Sequence, residues 1–300
     1  MAALAEAGED WDLRGIYVRV LAGTAVAPRN STWLDAWLEA EPTSPDAAAV
    51  HAESLAFRAW DARGGASASA TSHGQFQRFH RILRTCADEA MRAADLAPKD
   101  PTPWSTMVTA ARRLQFSNIE FERIWQELLI RDPANRRAHL QALDYWQPKW
   151  FGSRELADRF VEDTAARLPH SALAFQLRLD NQLTIWLPRS PKIDQAAFFR
   201  RSSGRRPLRD ALDDYWTGTI PTGGGQAVLD RHWLAWALTM ANRWDEACKV
   251  WFELGGGLVA GQPWLFSLNS AEFFTELRRE AFIMSSLKPS RQLTADGPAR

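Results

Sequence analysis

The sequence predicts an all-α fold in which antiparallel helix pairs stack into a repeat solenoid. A helix-closing proline recurs at nearly constant spacing, since Pro98, Pro133 and Pro169 lie 35 and 36 residues apart. Ala and Leu residues occupy one face of the helical run before each of these prolines. No stretch of the sequence shows the apolar and polar alternation of a β-strand. A helix pair of this length cannot bury its apolar stripe alone, so each pair is expected to pack on its neighbours.

The spacing of the prolines is close to the period of about 34 residues that is typical of tetratricopeptide helix pairs. Earlier in the chain, apolar residues at helical spacing predict a helix over 11–25. The segment 30–32 offers capping residues for the next helix. Ser44 and Pro45 then begin a helix that runs to Trp60, with the proline in the first turn.

The later helices follow from the same signals. A long amphipathic helix is expected after residue 74, with Phe79, Leu83 and Ala90 on its buried side. Further helices are predicted over 101–116, 118–131, 134–147, 153–168, 170–187, 226–241, 243–254 and 271–285.

We expect one repeat domain over 1–287, because a solenoid adds units without closing a separate core. The small-residue loop at 62–74 is expected to be flexible. The segment 188–207, which breaks the period and carries several arginines, is expected to be irregular. The polar residues 288–300 are predicted to form a disordered tail.

The composition argues against several classes of function. The formal net charge is +0 and neither half of the chain is strongly basic, so nucleic-acid binding is not expected. No segment has the roughly 20 mainly apolar residues that span a bilayer, and the acidic N-terminus does not resemble a secretory signal. The two cysteines, Cys86 and Cys248, are too few for a disulfide framework, which favours a cytoplasmic protein.

The sequence contains no recognisable catalytic signature. It lacks an HExxH or CxxC motif, a GxSxG elbow and a glycine-rich phosphate loop after a strand. The six histidines have no acidic or thiol partners at metal-ligand spacing. We therefore expect no metal and no cofactor, and a non-catalytic protein is favoured over an enzyme.

Two stretches offer candidate binding residues. The first is the aromatic corner 145–153, where Trp146, Lys149 and Trp150 surround a helix-breaking proline and where Ser153 can cap the next helix. The corner can be purely structural or can form the wall of a ligand groove. The second stretch is a basic run with guanidiniums suited to anion recognition, which consists of Arg200, Arg201, Arg205 and Arg206.

The corner also carries a family resemblance. The phrase Pro148-Lys149-Trp150-x-Gly152-Ser153 resembles the Pro-basic-Trp-Gly-Gly-Ser corner of a bacterial tetratricopeptide-like family of unknown function. Three further phrases are similar to that family: Ala59-Trp60-Asp61-Ala62-Arg63-Gly64, the Ala-rich helix near Ala90–Leu96, and Trp244-Asp245-Glu246-Ala247 with Pro263-Trp264. They cover roughly residues 30–265 in the expected order. Phe151 departs from the pattern by replacing the first glycine. The resemblance implies an all-α repeat fold and brings no activity.

The leading hypothesis is a scaffold that binds a protein or peptide partner on its concave face, because stacked repeats create such surfaces. The residues to test for it are Arg63, Trp146, Lys149 and Trp150. One alternative is an enzyme or small-molecule sensor with a pocket lined by tryptophan and arginine. Another is phosphate or RNA binding through the segment 200–206, which would depend steeply on salt.

Overall fold

The computed structural model describes residues 2–26, 32–65, 68–169, 171–186, 199, 202–218, 224–257, 263–264 and 269–287. Within these ranges the regular structure is helical and contains no strand, so the all-α prediction is confirmed. The predicted tail at 288–300 lies outside the described residues.

Fourteen α-helices are present in the described ranges. They are α1 (Ala2–Ala7), α2 (Trp11–Val26), α3 (Thr32–Ala40), α4 (Pro45–Arg63), α5 (His73–Leu96), α6 (Thr102–Leu114), α7 (Asn118–Arg131), α8 (Arg136–Trp146), α9 (Arg154–Arg167), α10 (Ala172–Trp186), α11 (Ser202–Trp216), α12 (Gly224–Met240), α13 (Trp244–Leu254) and α14 (Ser270–Ser286).

The chain divides into two compact units, Met1–Leu168 and Pro169–Arg300. The division falls at the last proline of the periodic series. Two compact units can belong to one stack of repeats or to two domains. The single domain expected over 1–287 therefore stays a prediction, and each unit is described by itself.

Side-chain caps explain where the helices of the N-terminal unit begin. A side-chain oxygen of the residue before the helix accepts a hydrogen bond from a backbone N–H of the first turn, which satisfies one of the donors that a helix leaves open there. The caps of α4, α5, α7, α8 and α9 are Ser44, Ser72, Ser117, Asn135 and Ser153. The predicted capping role of Ser153 is thus confirmed, with Oγ at 3.2 Å from the amide nitrogen of Leu156.

The helices of the N-terminal unit pack as a row with an outer layer. Helices α2, α4, α6 and α8 contact one another in sequence, and α3, α5, α7 and α9 pack beside them. Helix α2 also contacts α6, two places along the row. Packed helices lie about 8–10 Å apart, so this contact requires the row to curve.

Arg14 ties the first three helices of the row together. Its Nε donates to Asp100, just before α6, at 2.7 Å, and its Nη2 donates to Asp46 of α4 at 2.6 Å. Burial alone would lower the pKa of Arg14, but the charges and hydrogen bonds of the two carboxylates outweigh it and raise the pKa. These two contacts of Arg14 therefore help to maintain the curvature of the row.

The corner between α8 and α9 depends on a glycine. A Cβ atom at Gly152 would lie 1.8 Å from the carbonyl oxygen of Trp146, so the two backbone segments approach as closely as only glycine permits. Phe151, which departs from the family pattern, packs its ring 5.2 Å from that of Tyr145. The corner therefore needs its second glycine and uses its first position for aromatic packing.

The connection between α4 and α5 is shorter than predicted. The sequence suggests a loop over 62–74, whereas α4 extends to Arg63 and α5 begins at His73. Gly64 ends α4 with a φ of 76°, and Gln75 donates a 3.1 Å hydrogen bond to the Arg63 carbonyl. These contacts hold both ends of the connection, and its flexibility stays a prediction.

The C-terminal unit is built around buried tryptophans. Helix α11 packs between α10 and α12, and α13 packs between α12 and α14. The indoles of Trp236, Trp251 and Trp264 are fully buried in its core. This placement accounts structurally for part of the high tryptophan content.

The expectation of an irregular segment at 188–207 is wrong for its last residues, because 202–207 form the beginning of α11. Pro207 lies inside this helix. Apolar side chains at helical spacing, from Leu208 to Tyr215, are buried on one face and outweigh the break that the proline suggests. The residues before 199 in this segment lie outside the described part of the chain.

No helix among the described residues is long and apolar enough to cross a membrane.

Replacing Gly152 with alanine should destabilise the protein by about 2–3 kcal/mol, because its Cβ would collide with backbone rather than with a flexible side chain. The measurement is the free energy of unfolding in urea. The matched control is Gly15→Ala in α2, where an added Cβ meets nothing within 4 Å. That variant should gain about 0.5–1 kcal/mol from helix propensity. Equal effects of the two changes would contradict the close approach.

The protein should lose stability as the pH falls from 6.5 towards 4. His139 is 0% exposed, and burial lowers its pKa from 6.5 to about 4. In this range His139 binds a proton in the unfolded chain but not in the folded protein. The free energy of unfolding therefore falls by roughly 1.4 kcal/mol for each unit of difference between the two pKa values. The stabilisation is complete above pH 6.5.

The variant His139→Asn tests this acid sensitivity. Asparagine can replace the hydrogen bond from Nδ1 to the Asn135 carbonyl, 2.8 Å long, but it cannot be protonated. His232 in the other unit has its pKa lowered in the same direction, so only the difference between parent and variant isolates His139. Parallel stability curves from pH 7 to pH 4 would show that His139 does not titrate as expected.

Candidate functional site

The centre of the N-terminal unit holds an almost completely buried carboxylate. Glu53 of α4 is 2% exposed. Its two oxygens accept hydrogen bonds of 2.8 and 2.9 Å from Nη2 of Arg137 on α8, and one of them also accepts a 2.9 Å bond from the Thr106 hydroxyl on α6. A buried charge is tolerated when it is paired and hydrogen-bonded in this way. Glu53 thus links α4, α6 and α8.

Arg19 of α2 and Arg113 of α6 add two positive charges near Glu53. Repulsion by Arg137, together with burial, lowers the pKa of Arg19, and Glu53 offsets part of this effect. Burial and repulsion by Arg112 and Arg137 lower the pKa of Arg113 to about 10. Both guanidiniums stay charged at neutral pH. Three cations therefore share one carboxylate.

Among the described residues, Arg19 and Arg113 form no hydrogen bond and no ion pair with an acceptor. Their contacts are with aromatic rings. The guanidinium carbon of Arg113 lies 5.2 Å from the ring centre of Trp60, and that of Arg19 lies 5.9 Å from the ring centre of Phe57. Cation–π contact gives these side chains a position without using their N–H donors.

Trp60 is shared by two arginines. Besides Arg113, the guanidinium of Arg63 lies 5.1 Å from its ring centre, and Arg63 also approaches Phe76 at 5.9 Å. The side chain of Trp60 nevertheless remains on the surface, with 47% of the residue exposed. An accessible apolar surface thus lies directly beside cationic groups.

A second cationic group lies at the α8 end of the row. Arg112 stands over the ring of Trp150 at 5.0 Å and pairs with Asp144 at 3.3 Å. The ammonium of Lys149 lies 3.6 Å from the same carboxylate. Burial lowers the pKa of Arg112, and the charge of Asp144 offsets part of that effect. Here two cations share one carboxylate.

We call this surface the arginine face. It carries the cations Arg19, Arg63, Arg112, Arg113, Arg137 and Lys149, the carboxylates Glu53 and Asp144, and the tryptophans Trp60 and Trp150. Three of its buried donors, the Nε atoms of two arginines and the indole N–H of Trp150, have no acceptor among the described residues. The face is therefore short of both negative charge and hydrogen-bond acceptors.

The arginine face lies on the inner side of the curved row. Arg19 and Arg137 belong to the first and last helices of the row, yet their charges interact strongly enough to shift the pKa of Arg19. On the outer side of a curve the side chains of the end helices would diverge. Arg19 is itself exposed to solvent.

The structure brings three of the sequence-predicted residues together and separates a fourth. Arg63, Lys149 and Trp150 belong to the arginine face. Trp146 instead packs edge-on against the ring of Phe121 at 5.7 Å and faces a groove along α7. The two tryptophans of the corner therefore do not form one ligand wall.

The groove along α7 is open and shallow. Its lining consists of Asn118, Ile119, Glu122, Arg123, Gln126, Glu127 and Trp146. The polar groups bond locally, since Gln126 donates to Glu122 at 2.6 Å and Arg131 donates to Glu127 at 2.7 Å. Nothing in this groove concentrates charge of one sign.

The predicted arginine cluster at 200–206 is described only in part. Arg205 and Arg206 are exposed on α11, and Arg206 approaches Asp210 at 3.9 Å. Arg200 and Arg201 lie outside the described residues.

Sequence reasoning missed the central residues of the arginine face. Glu53 could have been noticed as a carboxylate in the middle of an alanine-rich helix, and the Arg112–Arg113 pair as charges near the end of an apolar one. Arg19 is a lone charge in the apolar stretch 15–27, and Arg137 follows another arginine at the start of α8, but neither position indicates a distant partner. Only the packing of helices distant in sequence brings them to one carboxylate.

The described residues offer no group of three or more His, Cys, Asp and Glu side chains that could hold a metal ion. The Cys86 thiol donates to the Ala52 carbonyl at 3.2 Å, and burial raises its pKa to about 12. A thiol in this environment is a poor nucleophile at neutral pH.

The chain matches no protein-family model and no curated protein. The likeness to the tetratricopeptide-like family therefore stays a prediction, and any functional conclusion depends on the arginine face.

Replacing Glu53 with glutamine should destabilise the protein by about 3 kcal/mol, because three guanidiniums would then repel one another without a carboxylate among them. Thermal and urea unfolding measure the loss, and added sodium chloride should reduce it by screening the repulsion. The control is Glu127→Gln, which removes a partly exposed pair with Arg131 within one helix and should cost less than about 1 kcal/mol. Similar losses in both variants would show that Glu53 does not organise the cluster.

Proposed function

We propose that this protein is a non-catalytic helical-repeat scaffold that holds a peptide segment of a partner protein on its arginine face. One observation carries the proposal: exposed Trp60 and unmatched guanidiniums lie together on the inner side of a curved row of helices. Curved repeat stacks provide extended concave surfaces for such segments. Aromatic and arginine side chains are also the residue types that contribute most at interfaces.

The proposal includes a tetratricopeptide-like arrangement. The pairs α2–α3, α4–α5, α6–α7 and α8–α9 each contribute their first helix to the row, and each first helix also packs on the next one. This order and the spacing of Pro98, Pro133 and Pro169 support the arrangement. The concave side of such a stack is formed by the first helices, which here carry most of the arginine face.

The arrangement favours binding over catalysis. The titratable groups of the arginine face are cations and two carboxylates, Glu53 and Asp144, that both form ion pairs. General acid or base catalysis needs a group whose pKa lies near the working pH. The enzyme form of the alternative with a Trp/Arg-lined pocket therefore receives less support. Binding through 200–206 also receives less support, because Arg206 already lies 3.9 Å from the carboxylate of Asp210 on the same helix.

We also propose a cytoplasmic location. Cys86 and Cys248 are both unpaired thiols, and Cys86 is buried. A protein with free thiols is suited to a reducing compartment.

Selection of random twelve-residue peptides on the purified protein tests the proposal. Selected peptides should bind with micromolar affinity, and Trp60→Leu should weaken them about tenfold because it removes an exposed aromatic anchor. The matched control is Trp216→Leu in α11, since Trp216 is also exposed and also lies beside a cation, Lys249, at 5.4 Å. Peptides that lose affinity equally with both variants, or with neither, would contradict binding on the arginine face.

A further inference from the structure

We propose that the segment bound by the arginine face is an acidic peptide. Its carboxylates are received by Arg19 and Arg113, and an apolar side chain between them packs on Trp60. This inference rests on the proposed function and adds the chemical class of the partner. It follows from the charge, the hydrogen-bond donors and the exposed apolar surface of the face.

The charge of the face is only partly neutralised from within. The hydrogen bonds of Glu53 go to Arg137 and Thr106, and its single negative charge only partly offsets the charges of Arg19 and Arg113. Arg19 and Arg113 therefore keep their donors without an acceptor among the described residues. Repulsion within the cluster contributes to the lowered pKa of both groups. A ligand carboxylate placed beside them would supply the charge and the acceptors that the face lacks.

The position of Arg113 suits a carboxylate in particular. Its guanidinium carbon lies 5.2 Å from the ring centre of Trp60. A guanidinium presents its N–H donors in a planar fork, which a carboxylate accepts with both oxygens. Stacking also restricts the side chain before the ligand arrives, which reduces the entropy lost on binding.

The exposed surface of Trp60 calls for an apolar group in the same ligand. A free carboxylate or a run of aspartates would leave this surface in contact with water. A peptide with a leucine or phenylalanine between acidic residues would cover it and bury apolar area as well. The partner segment is therefore expected to be both acidic and amphipathic.

The same features disfavour a nucleic acid. Single-stranded nucleic acids bind through bases stacked on open aromatic faces and through a continuous series of phosphate contacts. Glu53 and Asp144 lie among the cations and pair with Arg137 and Arg112, so the face does not offer the continuous series of cations that a phosphate backbone needs.

Three fluorescent ten-residue peptides test the inference. The first has four glutamates around a central Leu-Phe pair, the second replaces the glutamates with glutamine, and the third replaces them with lysine. Fluorescence anisotropy at 50 and 150 mM salt should show binding of the acidic peptide, weaker at the higher salt. The neutral peptide should bind at least about tenfold more weakly, and the basic peptide should not bind. Decathymidylate of the same length serves as the nucleic-acid probe and should not bind.

Variants of the protein locate the contact. Arg113→Gln and Arg19→Gln should each weaken the acidic peptide about tenfold, and the double variant more, while the affinity of the neutral peptide stays unchanged. Arg113→Lys, which keeps the charge and loses the fork, should give an intermediate affinity. The control is Arg123→Gln on α7, an exposed arginine that is not part of the arginine face. Because Arg112 and Arg137 repel Arg113, its removal is not expected to unfold the protein.

The outcomes separate this inference from the proposed function. If selected peptides depend on Trp60 but show no excess of acidic residues and ignore Arg113→Gln, the acidic class is wrong and the scaffold stands. If no peptide binding depends on Trp60, both are wrong. Binding of decathymidylate with the same dependence on Arg19 and Arg113 would also overturn the inference.

Discussion

The ion pair between Glu53 and Arg137 is the interaction on which the N-terminal unit most depends. It joins side chains 84 residues apart, and through Thr106 it includes a third helix. Burial of a carboxylate costs several kcal/mol unless partners surround it. Any change in the spacing of the three helices that breaks the contacts of Arg137 and Thr106 with Glu53 is therefore energetically costly. That spacing in turn places Arg19 and Arg113 beside the same carboxylate.

Small residues make this polar centre possible. Helix α4 contributes an almost continuous set of buried alanines, which are Ala47, Ala48, Ala49, Ala52, Ala56 and Ala59. Alanine lets neighbouring helices approach closely and leaves room for long side chains from the other elements. Arginine stems can then cross the inner side of the row with their charged ends near Glu53, and the aromatic rings of Phe57 and Trp60 support them. The alanine-rich helix that suggests a repeat fold in the sequence is thus also the helix that accommodates the site.

The sequence predicted the fold class far better than the site. Proline spacing, caps such as Ser153 and apolar periodicity are local signals, and the structure confirms the helices they indicate. The prediction of an irregular segment is wrong for residues 202–207. Glycine and proline in this stretch suggest a loop, but burial of the apolar residues that follow it stabilises a helix. The aromatic corner was recognised, but its two tryptophans diverge because Trp146 is the last residue of α8 and Trp150 lies beyond it. Arg19 and Arg137 could not be related to Glu53, since their proximity results from helix packing that no local pattern records.

The arginine face connects stability with recognition. On the inner side of the row, the positive charges of five arginines and a lysine repel one another. Only two carboxylates and the solvent reduce this repulsion. Removing Arg113, which other arginines repel and which has no acceptor among the described residues, should relieve this repulsion, so Arg113 is not explained as a source of stability. Stacking on Trp60 and Trp150 holds the guanidiniums in place at little cost, and their donors face a concave surface. A partner that brings negative charge would bind to a surface already arranged for it, and it would also relieve the repulsion within the free protein. Binding and folding stability should therefore rise together, as linkage requires for any ligand that prefers the folded state.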